Sequence, residues 1–167
     1  MKKQIAISFA LIVLLSLATP AQAQQQPKLD KASAAKIIQL LEDSGHNYGK
    51  AAENVWTIRY RGNHLSDFSI IVIGHENMLI LVGVVAEKKD FNAAPEMMKK
   101  LLSLNDELDR VKVGIDEEGD LFNRIDLSLR VVDAQEFKAN LEQISSAVDQ
   151  TYAAIKPYLV SAKKPAK

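Results

Sequence analysis

The stretch FSIIVIGHENMLILVGVV, Phe68 to Val85, decides the fold. Its two apolar runs, Phe68 to Ile73 and Met78 to Val85, are rich in β-branched residues. They are separated by Gly74-His75-Glu76-Asn77, which reads as the turn of a β-hairpin. Apolar side chains stand at odd and even positions alike, and successive strand residues point to opposite faces. Both faces of this hairpin therefore need a cover, supplied by helices and loops or by another chain. If helices cover only one face, Phe68, Ile70, Val72, Leu79 and Leu81 offer an apolar surface to a partner. If long connections and the last helix cover the rest, the hairpin is core throughout.

Working back from the hairpin, Trp56, Ile58 and Tyr60 alternate with Thr57, Arg59 and Arg61, the period-two pattern of a strand with one wet face. The two aromatic residues suit an interface, but their alternation with arginines favours a core face. A loop rich in turn formers precedes this strand. Before that loop, from Leu29 to Ser44, Ala34, Ile37, Ile38, Leu40 and Leu41 recur at helical spacing, with Asp30 as N-cap and Gly45 as terminator. Working forward, Ala93 to Leu108 forms a second helix whose apolar side is Met97, Met98, Leu101, Leu102 and Leu104, with Pro95 in its first turn. Val111, Val113 and Ile115, then Leu121 to Arg130, make a second hairpin around Asp116 to Asp120. Asp133 caps a long third helix with Phe137, Leu141, Ile144, Val148, Tyr152 and Ile155 on one face, and Pro157 ends it. The order is α-β-β-β-α-β-β-α. Strands arriving in hairpin groups predict an α+β domain over residues 30–160, an antiparallel sheet with helices packed on it.

Ahead of this domain, Lys2 and Lys3, an apolar run from Ile5 to Leu15 and Ala21-Gln22-Ala23 have the three parts of a secretory signal peptide, residues 1–23. The apolar run falls short of the roughly 20 residues that span a bilayer, so a cleaved signal is expected rather than a stable membrane anchor. Cleavage after Ala23 leaves 144 of 167 residues, opening with a flexible leader at 24–29, and the expected destination is periplasmic or secreted. No cysteine occurs, which rules out a lipidated start and disulfides alike. A domain of this size can bury enough surface to stand without staples.

Charge excludes one class of partner. The chain balances 21 basic and 21 acidic residues, and its one dense basic stretch, Lys163-Lys164-Pro165-Ala166-Lys167, reads as a disordered tail at 161–167. Nucleic-acid binding would require a basic stripe. The catalytic motifs that geometry makes recognisable are missing too. There is no phosphate loop, no nucleophile elbow and no thiol. His46, His64 and His75 fall in turns or loops with no helical i, i+4 pairing, so no metal centre is expected. Asp116, Glu118 and Asp120 alternate like calcium ligands, but Gly119 stands fourth rather than sixth and Leu127 occupies the twelfth place. A hairpin turn is the better reading. No catalytic residue, cofactor or metal ligand is nominated.

Leu104-Asn105 closing the second helix, the hairpin Val113 to Leu121, and Asp126-Leu127 leading to the final helix resemble the YbjN-type domain, a family described as bacterial sensory transduction regulators. The resemblance covers about Ala32 to Leu159. It implies the fold of type III secretion chaperones, a protein-binding or regulatory role without enzymatic activity, and a protein or peptide partner or a homodimer. The signal peptide departs from that pattern, because a secretion chaperone meets its effector in the cytoplasm. The expectation is a non-enzymatic exported binding module. The alternative is a small-molecule or lipid-binding periplasmic protein with a cavity lined by Met97, Met98 and Leu101.

Overall fold

The computed structural model describes residues 29–160. The signal peptide, most of the 24–29 leader and the 161–167 tail lie outside the described residues. The elements run α1 (Lys31–Asp43), β1 (Tyr48–Ala52), β2 (Val55–Tyr60), β3 (Phe68–His75), β4 (Met78–Ala86), α2 (Pro95–Glu107), β5 (Lys112–Ile115), β6 (Leu121–Ser128) and α3 (Ala134–Ile155). Short 3-10 turns occupy Lys88–Asp90 and Lys156–Tyr158. The α+β architecture and its antiparallel sheet are as expected.

Local chemistry sets the element ends. Asp30 caps α1 by accepting the Ser33 N–H at 2.9 Å, and Asp133 caps α3 by accepting that of Glu136 at 2.8 Å. Pro95 stands in the first turn of α2, where a missing N–H costs nothing. Gly119 adopts φ +95° in the β5–β6 turn, and the Asp116 carboxylate accepts the N–H groups of Gly119 and Asp120 at 2.9 and 2.7 Å. Pro157 lies within the 3-10 turn that follows α3.

One element differs from expectation. The segment read as a loop before Trp56 contains β1, which makes six strands rather than five. Tyr48-Gly49-Lys50-Ala51-Ala52 has no β-branched residue and little to bury. It becomes a strand because the free edge of β2 offers it backbone partners, Tyr48 opposite Ile58 and Lys50 opposite Trp56. His75 likewise closes β3 rather than sitting in a loop.

The sheet order is β1-β2-β3-β4-β6-β5, antiparallel at every pairing. Helices α1 and α3 pack over β3, β4 and β6, while α2 lies against β5 and α3. Beneath them Ile58, Ile70, Leu79, Leu81 and Leu121 are fully buried together with Ile37, Phe137, Leu141 and Ile144 from the helices. Trp56 is buried on the same side, so the alternation in β2 marks a core face as expected. At Gly83 helix α3 comes close to the sheet. A Cβ there would come within 2.3 Å of Val148 Cγ2, so the bare backbone lets α3 settle onto the middle of β4.

Candidate interaction surface: the open face of the sheet

Strand pairing determines which side chains share a face. Ile70 stands opposite Gly83, Val72 opposite Leu81 and Gly74 opposite Leu79, and all six are buried beneath the helices. The intervening positions point the other way. Ile71 pairs with Val82 and Ile73 with Ile80, and β6 continues the rows with Arg124 beside Val82, Asp126 beside Ile80 and Phe122 beside Val84. The row through Ile71 extends to Thr57 on β2 and that through Ile73 to Val55. Every one of these side chains keeps contact with solvent; Val84 is 39 % exposed.

The surface sought at Phe68, Ile70, Val72, Leu79 and Leu81 is therefore one residue out of step. These five residues are 8 % exposed or less and form the floor on which α1 and α3 rest. The residues on the face away from the helices are Ile71, Ile73, Ile80 and Val82, each half-buried, and Val84, exposed. In runs that are apolar at every position, nothing local tells the two parities apart. The distinguishing signal is in β6, where buried Asn123, Ile125 and Leu127 alternate with Phe122, Arg124, Asp126 and Ser128. Only the β4–β6 register carries that parity back to the hairpin.

An ion cluster borders the apolar rows. Asp126 accepts hydrogen bonds from Lys112 Nζ and Arg124 Nε, both at 2.6 Å. Burial alone would raise the Asp126 pKa, but these two cations outweigh it and hold the carboxyl below its ordinary value. At the opposite margin Arg59 pairs with Asp67 at 3.1 Å. The result is an apolar centre between charged borders, the layout of a surface that buries its middle and keeps its rim wet.

The other sequence candidates do not assemble into a reactive centre. His46 lies 3.3 Å from the Tyr60 hydroxyl, with ring centroids 5.3 Å apart. Burial, with the Glu142 carboxylate adding to it, pushes the Tyr60 phenol up to about 12, so it stays protonated at neutral pH. Among the described residues no group of three His, Cys, Asp or Glu is placed to hold a metal. Met97 and Leu101 are buried in the core and Met98 packs against it. Two surface grooves, one beside Phe91 and Ile115 and one beside Arg59 and Tyr60, are lined by other residues than these three.

Asp149 was not singled out by sequence. It is a buried carboxylate on α3 that accepts the backbone N–H groups of Asn63, His64 and Leu65 at 3.0, 2.8 and 2.8 Å. It clamps the β2–β3 connection to the helix. Its partners lie more than eighty residues away along the chain, out of reach of any spacing rule.

Solved structures share this architecture. The crystal structure of E. coli YbjN is similar at a TM-score of 0.58 and 15 % identity, over 76 % of this chain and 95 % of that one. A chain of the HopA1–SchA chaperone–effector complex matches at 0.56 and 12 % identity, over 75 % and 99 %. A chain of the ExoU–SpcU heterodimer from the Pseudomonas aeruginosa type III secretion system matches at 0.51 and 16 %, over 74 % and 98 %. The fold is thus that of the type III secretion chaperones. No curated protein matches the chain in sequence. The family model described as "Putative bacterial sensory transduction regulator" matches residues 33–157, nearly all of the described residues, and the chain belongs to that family, YbjN.

Proposed function

We propose that this protein is an exported, non-enzymatic module that binds a segment of another protein across the open face of its sheet. The observation that carries this reading is the solvent-contacting apolar patch of half-buried Ile71, Ile73, Ile80 and Val82 with exposed Val84, between the Asp126 ion cluster and the Arg59–Asp67 pair. Leaving these β-branched side chains half-buried forgoes part of the stabilisation that full burial would return, at about 25 cal/mol per Å² of apolar surface. A partner recovers it. Support from the fold is general: the HopA1–SchA match is a chain of a chaperone–effector complex, and identity of 12 % carries the architecture only.

A photo-crosslinking residue at position 82 tests the surface, with Gln150, exposed on α3, as control. In the cell envelope the probe at 82 is expected to give a discrete adduct and the probe at 150 none. Adding Ile71→Asp should lower the yield at least tenfold while the circular dichroism spectrum is kept. Equal yields at both positions, or indifference to Ile71→Asp, would sink the reading; an adduct of twice the chain's own mass would mean self-association.

Export is tested separately. Protein recovered from the envelope or medium is expected to begin at Gln24 on N-terminal sequencing. Recovery only from the cytoplasm, with residues 1–23 intact, would overturn that part alone.

A further inference from the structure

Charge is divided unevenly between the domain and the open face of its sheet. Lys2, Lys3, Lys28, Lys163, Lys164 and Lys167 lie outside residues 29–160, which therefore hold 15 of the chain's 21 basic residues and all 21 of its acidic ones. The described domain is acidic, but its open face has the opposite sign. Among the described residues, the lysines and arginines that the strands turn away from the helices are Arg59, Lys112 and Arg124, against one carboxylate, Asp126.

These cations stand at both borders of the apolar rows. Arg124 is opposite Val82, and Lys112 is opposite Arg124. Both share Asp126, whose side chain is only 18 % exposed, so this border keeps an excess of one positive charge. At the other border Arg59 and Arg61 line a groove of ≈ 300 Å³ together with Tyr60 and Asp67. The Arg59 and Asp67 side chains are 80 % and 61 % exposed, and a pair so solvated is weak enough to exchange partners. Arg61 pairs with no carboxylate among the described residues. Strands β3 and β4 separate Arg59 on β2 from Arg124 on β6, three strand spacings or about 14 Å. An extended segment crosses that width in roughly four or five residues.

We infer that the open face takes an acidic segment of its partner, with apolar side chains over the rows and a carboxylate at each end, one for Arg59 and Arg61 and one for Lys112 and Arg124. The inference rests on the docking role proposed above and adds the partner's chemistry. Burial of the apolar centre supplies affinity, while the two borders choose the sign of what is bound. A basic segment would meet like charge at both ends. An anionic bilayer offers the same sign as the acidic segment but is flat and extended. It would press against Asp67 and Asp126 and be opposed by the acidic remainder of the domain, whereas a peptide meets this face alone.

The test titrates two end-blocked peptides, Asp-Ser-Val-Ser-Ile-Ser-Asp and Lys-Ser-Val-Ser-Ile-Ser-Lys, into the chain from Gln24 and follows its amide NMR spectrum. The acidic peptide is expected to shift Ile71, Ile80 and Val82 and to bind about tenfold more tightly than the basic one at low salt, a preference that molar salt removes. Arg59→Glu with Arg61→Glu, both exposed, should abolish or reverse the preference with the circular dichroism spectrum kept. Equal binding of the two peptides, or no response to the acidic one, would overturn the inference; the crosslinked adduct at position 82 would then still uphold the docking face. Loss of that adduct as well would remove both. Phosphatidylglycerol vesicles that broaden the same amides, where the acidic peptide leaves them unmoved, would make the occupant a lipid surface and overturn the inference too.

Discussion

Truncating Leu81 to alanine is expected to cost about 3–5 kcal/mol of folding stability, the upper part of the range for emptying a fully buried leucine site. Val82→Ala, one residue along the same strand, should cost clearly less, about 1 kcal/mol, because Val82 is half-buried with no helix above it and its truncation leaves no enclosed cavity. Leu81 is completely buried beneath the helices, whereas Val82 retains contact with solvent on the other face. Urea unfolding followed by circular dichroism gives both numbers from midpoints at a common slope. Comparable losses at the two positions would mean that both sides of β4 are packed, and the open face would not exist. The pair is more telling than either substitution alone, since the two residues are adjacent on one strand and their side chains point to opposite faces.

The second large effect is expected at Asp149. Burial would raise its pKa, but the three backbone N–H groups of Asn63, His64 and Leu65 outweigh that and hold it below its ordinary value of 3.8. A group whose folded pKa is depressed contributes its full stability above the unfolded pKa and loses it as pH falls through the folded one. The contribution of Asp149 is therefore intact at neutral pH and fades below about pH 4. Asp149→Ala removes the acceptor from all three donors and is expected to cost about 2–3 kcal/mol at pH 7, in the range for hydrogen bonds to a charged group. Asp149→Asn should recover part of this, since its carbonyl oxygen can still accept. In both variants the acid limb of the stability curve should be shallower than in the parent. Asp126, also depressed, keeps some slope in all of them. Parallel acid limbs in parent and variants would show that the carboxylate does not titrate with unfolding.

What was legible in the sequence is what depends on near neighbours. Asp30 and Asp133 announce helix starts, Pro95 sits where a helix tolerates it, and Gly119 marks a turn, because each effect acts within four residues. The β2 alternation gave its inward side correctly, since Arg59 and Arg61 could not share a face with the core. The first hairpin hid its parity, as Ile70 and Ile71 are equally greasy and only the β6 register separates them. Strand β1 was hidden because backbone pairing, not composition, makes it. The Asp149 clamp was hidden because a lone carboxylate on a helix looks solvated until the loop it holds has folded against it. The surface on which function is proposed was thus named in the right strands and the wrong rows.

The two margins of the sheet have a bearing on how anything could be recognised by it. β1 has a register irregularity between Lys50 and Ala52, and β5 is four residues long, so neither rim is a long straight template for an added strand. Recognition through backbone rungs would be nearly blind to the visitor's composition. Lying flat across the rows instead forces a visitor to be judged by the spacing of its own greasy side chains, which makes this molecule a reader of texture more than of shape.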